Sequence, residues 1–373
     1  MQQLASPNWP PECSHPENRG FSFPLILLVT LVLTLTGACG RSQTVQPVPI
    51  GLAETIPSGM EEAVPTETVV IIPSEVVETS PPEPVDTVAS TSKPQLELDA
   101  GDHALTMVYD GLERSYVLHI PPGLDPSRAV PLVLAFHGVG LNASEMIRIS
   151  GFNDQSDTSG FIVVYPEGTG DNKSWNGGHC CGTAARDSVD DVGFVRALIG
   201  ELLTTLPVDP NQIHATGFSN GAIFTYRLAC ELSDLIASFG PVSATPAEDD
   251  LLTCAPGRAV PLMHFHGTAD DPNPYNGGES PGGYYFVPVN TAIQFWADFN
   301  GCPAQPQTTE TGSILHEMYA PCESGSAVEL YTIADGKHAW PGGEAVNLKM
   351  GEPNMEISAT ALLWDFFRSH PMP

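Results

Sequence analysis

Ile213-His-Ala-Thr-Gly217-Phe-Ser-Asn-Gly221 runs from a short apolar stretch into a Gly-x-Ser-x-Gly pentapeptide, and Gly221 opens a helical period that continues to about Leu232. A buried strand giving way to a helix through two glycines is the setting of a nucleophile turn. The small residues let backbone segments approach closely while Ser219 takes an unfavourable backbone conformation that lifts its hydroxyl over the sheet edge. The pentapeptide alone is a weak signal in a Gly-rich chain, so its weight depends on what surrounds it.

Outward from this turn, strand-like runs and helical periods alternate. Tyr116-Val-Leu-His-Ile120, Leu132-Val-Leu-Ala-Phe136, Phe161-Ile-Val-Val-Tyr165, Val260-Pro-Leu-Met-His-Phe265 and Val328-Glu-Leu-Tyr-Thr332 read as strands. Helical periods are expected from about Asp191 to Leu206, Val289 to Phe299 and Glu356 to Phe367. Continuous apolar strands alternating with helices predict an α/β fold, with a mainly parallel central sheet covered by helices on both faces and functional groups gathered at the carboxyl ends of the strands.

Three further stretches fall at such ends. Phe136-His137-Gly138-Val139-Gly140 follows a core strand, where the Val139 N–H can join that of Asn220 as an oxyanion hole; His137 itself reads as a core histidine bonded to backbone. His264-Phe-His266-Gly-Thr-Ala-Asp270-Asp271-Pro272 supplies a carboxylate to orient an imidazole. Asp270 is preferred because Asp271 precedes a proline and starts the next loop. Gly336-Lys337-His338-Ala-Trp340 brings an imidazole back over the serine. The chain order Ser219, Asp270, His338 is the order of the α/β hydrolases, and those three residue types are the parts of an acyl-transfer triad. His264 and His266 with the two Asp suggest a metal cluster on paper, but the strand supplies too few ligands on one side to close a site. Asp190 and Asp191 open a helix and read as N-terminal charge.

The whole chain has 373 residues, 14 Lys plus Arg against 44 Asp plus Glu, a net charge of -30 and a pI near 4.4. That balance repels polyanions and excludes nucleic acid as a partner. The 36 Pro and 35 Gly are unevenly spread, and three regions result: a leader over 1–39, a Pro/Thr/Glu-rich disordered linker over 40–100, and a folded domain over 101–373. The apolar run from Phe21 to Ala38 ends at Thr36-Gly37-Ala38-Cys39. This resembles a lipobox, although Thr36 stands where Leu is commoner. Acylation at Cys39, plain secretion and a retained anchor stay open, all placing the domain outside the cell.

Beyond the leader, Cys180, Cys181, Cys230, Cys254, Cys302 and Cys322 remain, an even set expected to form disulfides in an exported chain, with Cys230–Cys254 and Cys302–Cys322 as the suggested pairs. No C-x-x-C pair supports zinc among them.

These residues together resemble the secreted esterases that group polyhydroxybutyrate depolymerase-like proteins with family 1 carbohydrate esterases such as feruloyl and acetyl xylan esterases. The likeness rests on Gly111-Leu-Glu-Arg-Ser-Tyr-Val-Leu-His-Ile-Pro121, the His137-Gly138 turn, Ser174-Trp175-Asn176 with Cys180-Cys181, and Val189-Asp-Asp-Val-Gly-Phe194. It continues through Gly217-Phe-Ser-Asn-Gly221 with Arg227-Leu-Ala-Cys230, His266-Gly-Thr-Ala-Asp270 and His338-Ala-Trp-Pro-Gly342. Lys337 in place of the family's usual Gly, and Val139 in place of the Cys of some members, are departures that remove no reacting group. The resemblance implies an α/β-hydrolase fold, Ser219, Asp270 and His338 as the triad, and no cofactor. A serine carboxylesterase is expected, with feruloyl or polysaccharide esters ahead of polyhydroxyalkanoates. A non-catalytic binding lipoprotein and a serine peptidase are the competing classes; the complete triad argues against the first, and no propeller-like companion supports the second. Trp175, Tyr275 and Trp340 are the candidate substrate-stacking aromatics, with core packing as the alternative for the two tryptophans.

Overall fold

The computed structural model describes residues 98–347 and 350–373. The leader, the lipobox-like Cys39 and the linker up to residue 97 lie outside the described residues.

In chain order the elements are β1 (Gly101–Tyr109), β2 (Leu112–Ile120), β3 (Val130–Phe136), α1 (Ala143–Ser150), α2 (Phe152–Ser159), β4 (Ile162–Pro166), α3 (Gly182–Arg186) and α4 (Asp191–Thr205). Then follow β5 (Val208–Phe218), α5 (Asn220–Glu231), β6 (Ser238–Val242), α6 (Glu248–Leu252), β7 (Leu262–Gly267), β8 (Gly278–Glu279), β9 (Tyr285–Phe286) and α7 (Val289–Phe299). β10 (Gln307–Thr311), β11 (Ile314–Tyr319), β12 (Val328–Ile333) and α8 (Ala359–Ser369) complete the chain.

Ten strands form one sheet in the order β1-β2-β4-β3-β5-β6-β7-β12-β11-β10. The middle, from β4 to β12, is parallel throughout. Antiparallel pairs close each margin, β1 on β2 on β4 at one side and β10 on β11 on β12 at the other. Alternation within the strands splits the core into two layers. Leu132, Leu134 and Phe136 face α4, α5 and α7, while Val133 and Ala135 face α1, α2 and α8. This is the predicted α/β-hydrolase architecture.

Of the strands absent from the sequence reading, which also include β1, β10 and β11 at the sheet margins, β6, Ser238-Phe-Gly-Pro-Val242, lies in the middle of the sheet. Glycine and proline ordinarily argue against a central strand. Here the Leu363 side chain of α8 packs into the space that a Cβ at Gly240 would take.

Cys230 is joined to Cys254 and Cys302 to Cys322, the suggested pairs, and the adjacent Cys180 and Cys181 are joined to each other.

Candidate active site

β5 delivers Ser219 at the point where the parallel sheet meets α5. Its backbone sits at φ 57°, ψ −120°, a region that a non-glycine residue occupies at a cost of about 1–3 kcal/mol. The flanking glycines are sterically required. A Cβ at Gly217 would strike the Gly221 carbonyl, and one at Gly221 would strike the Phe136 carbonyl of the neighbouring strand. The turn therefore depends on both glycines and on the closeness of β3.

The loop after β12 returns His338 to the serine: its Nε2 lies 2.9 Å from Ser219 Oγ. Its Nδ1 lies 2.8 Å from Asp270 Oδ2, so Nδ1–H donates to the carboxylate and Nε2 is left to accept the serine proton. The Asn273 N–H donates to the other carboxylate oxygen, Oδ1, at 2.9 Å. Both Asp270 and His338 are buried, whereas Asp271 is exposed and has no part in this chain of contacts.

Val139 and Asn220 border the same cavity as Ser219. Neither backbone N–H donates to a backbone acceptor among the described residues. Asn220 is the first residue of α5, where unpaired amides and the helix dipole favour negative charge. His137 is fully buried and acts as a splint: its Nδ1–H donates to the Gly138 carbonyl at 2.8 Å, and its Nε2 accepts the Gly168 N–H at 2.9 Å. Burial pushes this imidazole below the usual histidine range, so it holds the loop as a neutral ring.

The cavity at Ser219 measures about 330 Å³ and is walled by Ile223, Pro272, Pro281, Tyr284, Phe286 and the Cys181 end of the vicinal disulfide, with Asn172 and Asn273 as polar members. Among the described residues, no Asp, Glu, Lys, Arg or His lines it. A larger cavity of about 490 Å³, bordered by Asn176, Asp190, Tyr226 and Arg227, includes none of Ser219, Asp270 or His338.

The expected stacking aromatics do not line the cavity at Ser219. Trp175 is fully buried, stacked on Phe224 with centroids 5.3 Å apart, and its indole N–H donates to the His137 carbonyl at 3.0 Å. Trp340 is fully buried against Phe152 and donates to Thr360 Oγ1 at 2.9 Å. Tyr275 sits edge-on to His266 and its hydroxyl bonds Thr332 Oγ1 at 2.8 Å. Both tryptophans are thus core residues with their indole N–H groups bonded within the fold, while Tyr275 is half-buried beside His266. The aromatics at the cavity are Tyr284 and Phe286, on and beside the small β8–β9 hairpin. The signal was present as Pro281-Gly-Gly-Tyr-Tyr-Phe286, a glycine turn carrying three aromatics directly after the Asp270 loop.

Asp190 caps α4 by accepting the Gly193 N–H at 2.9 Å. Asp191 does more than place charge at a helix start. It is fully buried, accepts from Arg114 at 2.7 Å and from the Asn176 N–H at 2.8 Å, and so anchors the Trp175-Asn176 segment beneath the site.

Residues 114–247 match the family model described as Esterase PHB depolymerase. Feruloyl esterase B of Piromyces equi is 32% identical over 268 residues, which cover 70% of this chain and 46% of the relative. The chain thus spans about half the length of that protein. Feruloyl esterase C of Emericella nidulans is 30% identical over 267 residues, covering 68% of this chain and 83% of the relative. An acetyl xylan esterase from Aspergillus awamori superposes with a TM-score of 0.51 over 64% of this chain and 94% of its own, at 14% identity, a likeness of fold.

Proposed function

The chain belongs to the esterase PHB depolymerase family, and on that premise we propose that it hydrolyses carboxylic esters with Ser219 as nucleophile, His338 as general base and acid, and Asp270 as the carboxylate that orients the imidazole. The observation that carries this reading is the unbroken line from Ser219 Oγ through His338, at 2.9 Å and 2.8 Å, to Asp270.

His338 Nε2 takes the Ser219 proton as the oxygen attacks the ester carbonyl. The negative charge that develops on the carbonyl oxygen is received by the Val139 and Asn220 amides, and Asp270 stabilises the imidazolium. The proton passes to the departing alcohol, leaving Ser219 acylated. Water then attacks this acyl ester while His338 takes its proton and returns it to Ser219, releasing the acid.

An uncharged cavity with Tyr284 and Phe286 in its wall suits a neutral, planar acyl group, which supports feruloyl or related polysaccharide esters as substrates. The depolymerase name of the family model supports a second reading, polyhydroxyalkanoate hydrolysis. The domain acts outside the cell in this account, tethered through diacylated Cys39; fatty-acid labelling that disappears in Cys39→Ser checks the anchor.

The decisive experiment is hydrolysis of a short nitrophenyl ester by the purified protein and by Ser219→Ala with an unchanged circular dichroism spectrum. The variant is expected to lose all turnover above background, and residual activity equal to the parent's would overturn the assignment. A panel of methyl ferulate, acetylated xylan and hydroxybutyrate oligomers then selects the substrate class.

A further inference from the structure

A second imidazole touches the Asp270 carboxylate. His266 Nε2 lies 3.5 Å from Asp270 Oδ2, the oxygen that also receives His338. We propose that His266 is a positioning residue for Asp270: a neutral ring, set in one tautomer by the Asn273 carbonyl and backed by a buried line of hydrogen bonds that ends at Tyr226, that pins the turn carrying the carboxylate. The proposal rests on the reading of Asp270 as the group that orients His338.

The tautomer follows from what each atom can do. His266 Nε2 is 2.8 Å from the Asn273 carbonyl, which only accepts, so Nε2 carries a proton. In a neutral ring Nδ1 is then a lone pair. It faces His264 Nε2 at 3.0 Å, which must donate. That leaves His264 Nδ1 as an acceptor, and the Tyr226 hydroxyl donates to it at 3.0 Å. Every donor has one acceptor, and the line runs in a single direction from α5 to the end of β7.

No solvent reaches it. His264 and His266 are fully buried and Tyr226 is 1% exposed. Burial holds both imidazoles below the ordinary histidine range. The groups facing His266 are His264 on its own strand, Asp270 and Asn273 on the following turn, the edge-on ring of Tyr275, Thr332 opposite it on β12, and His338.

The consequence for Asp270 is geometric and electrostatic. His266 fixes the Asn273 carbonyl, and Asn273 fixes Asp270 Oδ1 through its N–H, while the Asn273 side chain accepts the Thr245 N–H at 3.1 Å. Oδ2 is left aimed at His338. A carboxylate shared by two imidazoles pairs most strongly with whichever becomes the imidazolium. Keeping His266 neutral reserves that charge for His338 when it takes the serine proton.

Two measurements test this. In protein labelled with 15N-histidine at neutral pH, ring nitrogen shifts are expected to show His266 protonated at Nε2 and bare at Nδ1; a bare Nε2 or an imidazolium overturns the proposal. In kinetics, His266→Leu is expected to lower kcat roughly 10- to 100-fold with KM within about twofold. His266→Gln, which keeps a side-chain N–H, is expected to restore most of kcat. A folded His266→Leu with unchanged kcat overturns the proposal. If it does not fold, the ring-nitrogen measurement on the parent keeps the proposal falsifiable: a proton on Nε2 alone supports it, and a bare Nε2 or an imidazolium overturns it. The parent and Ser219→Ala, assayed alongside, separate failure of this inference from failure of the esterase reading.

Discussion

The Asn220 side chain and the Trp175 backbone are bonded in both directions: Trp175 N–H donates to Asn220 Oδ1 at 2.8 Å, and Asn220 Nδ2 donates to the Trp175 carbonyl at 3.0 Å. Because the indole also holds the His137 carbonyl, one residue braces the helix start that carries the Asn220 amide and the loop that carries the Val139 amide. Trp175 is a strut between the two donors of the proposed oxyanion hole.

Trp175→Phe keeps a ring against Phe224 and removes the indole N–H. Losing one neutral hydrogen bond at the transition state is expected to lower kcat roughly fivefold to tenfold with KM unchanged. Steady-state kinetics on a nitrophenyl ester check this, and an unaltered kcat contradicts the strut.

Arg114 and Asp191 form a buried ion pair, the guanidinium also lying 3.9 Å from the Phe194 ring centroid. Burial pushes the arginine down and the aspartate up, each opposed by its partner. Asp191→Asn strips the guanidinium of its counter-charge and is expected to cost about 3–5 kcal/mol in urea unfolding. Arg114→Met combined with Asp191→Leu should recover a large part of that loss, since neither charge is then left alone.

Acid stability is expected to depend on buried histidines. His214 is stacked on Phe367 and bonded to Ser238, and burial lowers its pKa to about 3. With a folded value below the unfolded one, the unfolded chain takes a proton that the folded chain refuses. The stabilisation is full above about pH 6.5 and declines as pH falls toward the folded value, by about 1.4 kcal/mol per unit for each such histidine. His264 and His266 act in the same direction. Unfolding free energies at pH 7, 6 and 5 should fall steadily in the parent and less steeply in His214→Leu; parallel slopes would exclude His214 from the effect.

Tyr284→Ala opens one wall of the cavity at Ser219. An apolar contact of this size is worth about 1–3 kcal/mol of discrimination. Its loss should lower kcat/KM for methyl ferulate about tenfold or more while leaving a short acetate ester within about twofold. Equal losses on both esters would assign Tyr284 a structural task, through the hydroxyl that accepts the Gly182 N–H at 3.3 Å.

The legible parts of the molecule were those whose chemistry repeats at fixed spacing. Continuous apolar runs marked β3 and β4, and the Ser219, Asp270 and His338 stretches each followed a predicted strand. What escaped was decided by contacts across the fold. β1 alternates, but its inner positions are only half-buried, so Gly101–Tyr109 carries little apolar signal. β6 contains Gly240 and Pro241, residue types that argue against a central strand, and Leu363 packs into the space beside the glycine. The roles of Trp175, Tyr275 and Trp340 turn on which partner meets the indole N–H or phenol, and those partners lie at distant positions in the chain. His266 looked like part of an incomplete metal cluster because the tautomer that gives it meaning is set by the Asn273 carbonyl, seven residues along the chain.

The uncharged lining of the cavity bears on how a turnover ends. In the proposed reaction, ester cleavage converts a neutral guest into an anion inside a wall that, among the described residues, offers no Lys, Arg or His to retain it, on a chain whose net charge is -30. The newly formed acid is expelled toward water by the same electrostatics that admitted its ester, so accumulating product should inhibit this protein weakly, and less so at low ionic strength than at high.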